Sequence, residues 1–273
     1  MYGFLLRPKW LAFHILVFGS VALMISLGFW QLRRLDERKE FNALVTERIE
    51  QPPIALDSIL DDVESDPAAF EWRQVTMSGT WLPGQVIWFN RTQDGATGDN
   101  VLTALEGSQG TDGTTVIVNR GFVSVAEVVT DPPSGEVQVL GRIRTAQQRQ
   151  RGGLTDSTTG PLTEIRRVDI ARLAPQLPGE VAPFYLDLVE SIPPVAESAP
   201  LPTPLPALDD GPHLSYAVQW FIFSIAVIVG WVLAIRKSLA TRRRQLALTD
   251  AADEPARAEP PASSVDAAAT TPT

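Results

Sequence analysis

The feature that most constrains this chain is an uncharged apolar run from Leu214 to Ile235, 22 residues long. As helix, at about 1.5 Å per residue, it extends roughly 33 Å and so crosses a bilayer core of about 30 Å. It opens with His213-Leu214-Ser215-Tyr216-Ala217-Val218-Gln219-Trp220-Phe221 and closes in Arg236-Lys237, with Arg242-Arg243-Arg244 close behind. His213, Tyr216 and Trp220 follow helical spacings of three and four, which puts them on one face of its entrance. A second run, Trp10 to Leu32, has 23 residues without formal charge, with only His14, Ser20, Ser26 and Gln31 as polar interruptions. It is too long for a signal-peptide core and no small-residue cleavage site follows it, so it is read as an uncleaved transmembrane helix. That helix is expected to run on into solvent. Leu32, Leu35, Phe41, Leu44, Val45 and Ile49 form a loose apolar stripe along the extension, which Pro52-Pro53 ends.

The flanking charges set the expected topology. Asp209 and Asp210 precede the second run and five basic residues follow it, which assigns the C-terminus to the cytoplasm. Two spans then return the N-terminus to the cytoplasm as well. The expected organisation is a cytoplasmic N-terminus (1–9), a first span (10–32), an extracytoplasmic domain (33–213, with a Pro-rich return linker over 192–212), a second span (214–235) and a cytoplasmic tail (236–273). The expected location is the cell membrane. In the tail, Ala240–Leu248 continues as a basic helix and Ala251–Thr273, rich in Ala, Pro, Ser and Thr, is expected to be disordered.

Composition removes several function classes. Residues 33–213 hold 27 acidic and 15 basic side chains, the wrong balance for binding nucleic acid. There is no cysteine, hence no disulfide, thiolate metal site or thiol nucleophile. Three scattered methionines give no thioether cluster for copper. His14 and His213 are the whole supply of imidazole. With one near the cytoplasmic end of its span and the other at the outer end of the second, they stand roughly 27 Å apart along the membrane normal and cannot share one iron.

Between the spans the pattern turns to strands. Gln74–Trp81 and Gln85–Arg91 are β-type runs joined through Pro83-Gly84, and Val101–Glu106 with Thr114–Val123 are a further pair around the Gly107–Gly113 loop. Glu136–Arg144 alternates as a half-buried strand, and Phe184–Val189 is the last one. Ile54–Phe70 reads as a short helix and loop, Gln147–Pro161 as a mobile loop, and Asp169–Leu177 as a helix with Asp169 near its N-cap. Pro193–Pro206, with six prolines, is an extended linker. The fold class is α+β: two transmembrane helices bracketing a mainly antiparallel β domain.

Three stretches carry a resemblance. Leu27-Gly28-Phe29-Trp30-Gln31-Leu32-Arg33-Arg34 with Lys39 lies at the exit of the first span, Val116-Ile117-Val118-Asn119-Arg120-Gly121-Phe122-Val123 in the domain, and the His213–Phe221 segment at the second span. In that order, around two spans and a β-rich domain, they resemble the surfeit locus protein 1 family of cytochrome c oxidase assembly factors, in an actinobacterial-type form. The resemblance covers roughly residues 3–236. It implies a non-catalytic role in building the haem–copper oxidase core subunit, at or before haem a insertion, with oxidase core subunits and the lipid bilayer as partners and haem a as a transient cofactor. It makes His213 the candidate ligand of the haem iron.

Around that ligand, Tyr216 and Trp220 would flank a porphyrin, Trp30 and Gln31, near the depth of His213, would line the same crevice, and Arg33 or Arg34 would pair with a propionate. The same aromatic residues equally suit an interfacial belt, and the arginines a solvated flank. Asn119-Arg120-Gly121 is read as a strand end, with Arg120 in a salt bridge and Gly121 easing a close approach. Two other readings are carried. A cofactor-free scaffold or stable accessory subunit of the respiratory oxidase would share the anchors but not haem. An enzyme using Asp187 and Glu190 would need convergent carboxylates, and these lie three apart on a strand, facing opposite sides.

Overall fold

The computed structural model describes residues 3–108, 110–111, 113–149, 151–157, 160–194 and 199–257. The described elements run α1 (Pro8–Glu50), β1 (Ile54–Ala55), α2 (Leu60–Ser65), β2 (Gln74–Trp81), β3 (Val86–Gln93), β4 (Ala96–Gly107), β5 (Thr114–Ser124), β6 (Glu136–Thr145), β7 (Glu164–Ile165), α3 (Ile170–Leu173), β8 (Glu180–Ile192) and α4 (His213–Arg257), with short 3₁₀ turns between. They fall into two compact units, Met1–Lys39 with Asp210–Thr273, and Glu40–Asp209.

In the helical unit α1 and α4 are both long and apolar enough to cross a membrane. They pack through a notch: a Cβ on Gly28 would stand 2.7 Å from the Phe221 ring, so glycine lets the aromatic seat against the α1 backbone. Outward-facing Leu23, Ile25, Ile222 and Ile225 stay exposed, the surface that lipid requires. Helix α4 continues unbroken to Arg257, so residues 251–257 are helical where the composition suggested disorder. No Gly or Pro occurs between Trp231 and Glu254, and the alanines there favour helix. Residues 258–273 of that tail lie outside the described residues.

The second unit begins with the last turns of α1, where Val45 is buried and Phe41 meets the Trp72 ring edge-on at 6.2 Å. Leu44 does not join the stripe: it is 39% exposed, about 100° round the helix from Val45. Strands β2, β6, β8, β5 and β4 form a ring that the β2–β4 pairing closes; β1 extends it from β2, and β3 and β7 from β4. Five ladders are antiparallel (β2–β4, β2–β6, β3–β4, β4–β5, β6–β8) and three parallel (β1–β2, β3–β7, β5–β8). Alternation fills the ring: Val75 and Met77 of β2, Val116 and Val118 of β5, Val139 of β6, and Phe184 and Leu186 of β8 meet in one core.

Pro83-Gly84 does not reverse the chain. Trp81 of β2 pairs with Leu105 of β4, and Val86 of β3 pairs with Leu102 of the same strand, so β2 and β3 run in one direction along β4. Pro83 lacks an N–H and Gly84 has φ +93°, which interrupts the ladder without turning it back. The β4–β5 pair forms as expected, although β4 starts earlier, at Ala96. The last strand is longer than its apolar run and lies between β5 and β6.

Asp169 occupies the N-cap of α3 but its side chain makes no cap bond, and the helix tightens into a 3₁₀ turn at Ala174–Gln176 around Pro175. The described part of Gln147–Pro161 has no strand or helix but is pinned, because the buried Asp156 carboxylate accepts from the Arg166 N–H at 2.8 Å. The return linker is a strap rather than a free tether. Phe122 N–H donates to Leu201 O at 2.7 Å and Leu201 N–H donates back to Phe122 O at 2.8 Å.

Candidate functional site

Helix α4 starts at His213, where the Ser215 hydroxyl donates to Pro212 O at 2.7 Å and fixes the first turn. One turn on, Ala217 is buried, which keeps the entrance tight. His213 Nδ1 lies 2.9 Å from Gln31 Oε1 of α1. An amide oxygen only accepts, so Nδ1 carries the hydrogen, and a neutral ring then leaves Nε2 with a free lone pair. This is the arrangement in which a second residue orients an imidazole ligand.

The other expected site residues are less tightly gathered. Tyr216 is 48% exposed and Trp30, next to Gln31, is 47% exposed. Trp220 stacks edge-on with Phe223 at 6.1 Å, and its carbonyl accepts from the Ser224 hydroxyl at 2.9 Å. Arg33 is exposed, and Arg34 Nη1 pairs with Glu37 at 2.7 Å. Among the described residues, no hydrogen bond or ring contact joins Trp30, Arg33, Arg34, Tyr216 or Trp220 to His213. The structure brings His213 and Gln31 together and leaves the aromatic and basic residues around them at the same end of the helix pair. The donor set would suit a group held by one imidazole: a single fixed ring with one free nitrogen, and no cluster of three metal-ligating side chains among the described residues. At the other end of the pair, Trp231 Nε1 donates to His14 Nδ1 at 2.8 Å. The two imidazoles therefore sit at opposite ends of the same antiparallel pair.

A second polar centre lies on the outer face of the ring, and only part of it was visible in the sequence. Asn119 Nδ2 donates to Asp187 Oδ1 at 2.7 Å and to the Thr203 hydroxyl at 3.0 Å. Asn100 Nδ2 donates to Asn119 Oδ1 at 3.2 Å. Arg144 Nη1 reaches Asp187 Oδ2 at 3.1 Å and its Nε reaches Glu71 at 3.3 Å, while its guanidinium lies 3.8 Å over the Trp72 ring. Arg142 Nη2 donates to Thr203 O at 2.5 Å, tying the strap into the same network. Burial lowers the Arg142 guanidinium, with Asp187 opposing. Burial, then Asp187, raises the Tyr185 phenol, so it stays neutral.

Several expectations change here. Asn119-Arg120-Gly121 is not a strand end but lies inside β5, at a bulge where Val101 faces Gly121 and Leu102 faces Asn119. Arg120 makes no salt bridge among the described residues; its Nη1 donates to Gln85 Oε1 at 3.3 Å and to Thr130 O at 2.9 Å. Burial draws its guanidinium down to about 10, still a cation at neutral pH. Gly121, at φ +126°, does ease a close approach, since a Cβ there would collide with Leu201 O. Asp187 is 2% exposed and fully engaged, whereas Glu190 of the same strand is exposed, so the two share no site. Arg144, Trp72, Asn100 and Thr203 went unnoticed. The alternation of Arg142 and Arg144 around buried Ile143 was the available signal for a polar outer face.

Comparison with known proteins gives a consistent picture. Residues 18–225 match the model of the SURF1 family. An uncharacterised SURF1-like protein of Mycobacterium tuberculosis (strain H37Rv) is 28% identical over 264 residues, 94% of each chain. A SURF1-like protein of Rickettsia felis is 23% identical over 235 residues, 83% of this chain and 98% of its own length. One from Dictyostelium discoideum is 30% identical over 113 residues, 39% of this chain and 41% of its own.

Proposed function

The chain belongs to the SURF1 family, which is linked to cytochrome c oxidase assembly, and on that premise we propose that it is a membrane-anchored, non-catalytic factor that receives haem a on its way into the oxidase core subunit. The observation that carries this reading is the 2.9 Å bond from His213 to Gln31, which leaves Nε2 available as a ligand. Haem a, if bound, would supply an iron that accepts an imidazole nitrogen as ligand. His213 offers that nitrogen, and Gln31 holds the ring. Trp30, Tyr216 and Trp220 offer aromatic surface at the same end of the helices. The exposed Arg33 is available to a propionate, and Arg34 would exchange its Glu37 contact for one. Both termini lie in the cytoplasm on this reading, with the sheet domain outside.

A cofactor-free scaffold or accessory subunit is favoured by one observation. The open exposure of Tyr216 and Trp30 suits a neighbouring protein helix as well as a porphyrin. An optical spectrum of the detergent-purified protein, wild type and His213→Ala, from cells that make haem a separates the two. The expected result is a haem a band in the wild type that the substitution abolishes. A wild type without haem that co-purifies with oxidase subunits makes the protein a scaffold.

A further inference from the structure

At the far end of the helix pair from His213, Phe4 and Trp10 meet edge-on at 5.5 Å, and the Arg242 guanidinium lies 4.7 Å over the Phe4 ring. Between these aromatics and α4 is a cleft of about 390 Å³, also lined by Lys237, Ser238 and Thr241. Gln245 lines it too, and the Thr241 hydroxyl is turned back onto Lys237 O at 3.1 Å; Lys237 and Arg242 are the two cations of the lining. Residues 1–35 and 211–249 contain neither Asp nor Glu. Among the described residues, no ion pair involves Lys237 or Arg242. In a chain whose formal charge is −9, this end nevertheless gathers Arg7, Lys9, Arg236, Lys237 and Arg242–Arg244.

The depth of the cleft is the second observation. Trp10 opens one apolar run and Lys237 lies two residues past the end of the other, so the cleft sits where hydrocarbon gives way to charge. Exposed Leu11 and Leu233 continue an apolar surface from it toward the middle of the helices. A ligand that fits therefore carries a phosphate at one end and hydrocarbon at the other. Basic pockets between transmembrane helices on the cytoplasmic side recognise anionic headgroups in this way.

We propose that this cleft binds the headgroup of an anionic phospholipid, with Lys237 and Arg242 on the phosphate, Phe4 and Trp10 beneath it and the acyl chains along α1 and α4. The inference rests on the membrane placement of the helix pair and on nothing about haem or the oxidase.

The test is native mass spectrometry of the full chain released from detergent micelles containing phosphatidylglycerol or phosphatidylcholine with matched acyl chains. One phosphatidylglycerol is expected to stay on each chain and phosphatidylcholine to be lost. K237Q/R242Q is expected to weaken retention on the order of tenfold or more, and R243Q/R244Q, which removes the same charge outside the cleft, to change it little. Circular dichroism of each variant checks that the helices remain. Equal loss in both double variants, or none in K237Q/R242Q, overturns the site. Full displacement by millimolar inorganic phosphate, with phosphate retained on lipid-free protein, overturns a lipid as the occupant. Because lipid retention needs neither haem nor oxidase, its failure leaves the assembly reading untouched. A chain that retains the lipid yet binds no haem and no oxidase subunit fails that reading alone.

Discussion

The helix pair and the outer face of the sheet domain handle buried polarity in opposite ways. Between α1 and α4 the polar contacts are isolated pairs, His213 with Gln31 and His14 with Trp231, each one bond in an apolar seam. On the sheet, Asn100, Asn119, Asp187, Arg144, Arg142, Thr203 and Glu71 are linked so that most members serve two neighbours. An isolated pair sets the state of one side chain and contributes little to stability. A network does the reverse: it holds elements distant in sequence together, and the loss of one member strands several others.

Substitutions sharpen that contrast in descending order. Asp187→Ala removes the buried acceptor shared by Arg144 and Asn119, leaving them only Glu71 and Thr203, and is expected to cost about 3 kcal/mol. Thermal unfolding of the full chain in detergent measures this, and a loss under about 1 kcal/mol would show the network to be a set of independent bonds. Gly121→Ala meets Leu201 O at an unfavourable φ and is expected to cost on the order of 2 kcal/mol, through displacement of the strap. Faster proteolysis between 193 and 209 would accompany it; unchanged cleavage breaks the link between the bulge and the strap.

Gln31→Ala is the smallest in energy, about 0.6 kcal/mol, yet it should alter the ring it supports. With only two histidines in the chain, nitrogen NMR of labelled imidazoles resolves each. His213 is expected in the form with hydrogen on Nδ1 and His14 with hydrogen on Nε2, since its Nδ1 accepts from Trp231. The substitution should release His213 into a mixture and leave His14 as it was. The same form for both rings in the wild type would break the comparison outright.

What was legible in the sequence follows from how local each signal is. The two spans were readable because length and apolarity are properties of consecutive residues, and α1 and α4 carry both runs whole. The strand types were readable from alternation, as Val75, Met77 and Trp81 of β2 illustrate. Pairing was harder. Pro83-Gly84 reads as a reversal until Leu102 and Leu105, about twenty residues on, are seen to hold both flanking strands. At the helix entrance the lengths of the two runs put Gln31 near the depth of His213, but the bond between them, across 182 residues, has no sequence pattern. The sheet network was missed for the same reason, because Thr203 belongs to a segment whose prolines advertise only extension.

The position of β8 has a consequence for biosynthesis. It is the last strand to leave the ribosome, yet it lies between β5 and β6 and completes the ring. Until residue 192 has been made, β5 and β6 each lack a neighbour along one edge. The ring therefore cannot close before β8 has emerged, and long-range pairings of this kind form slowly. On the proposed topology the chain crosses the bilayer as an incomplete fold, in a form suited to threading through a translocation channel. It closes on the far side once β8 has crossed.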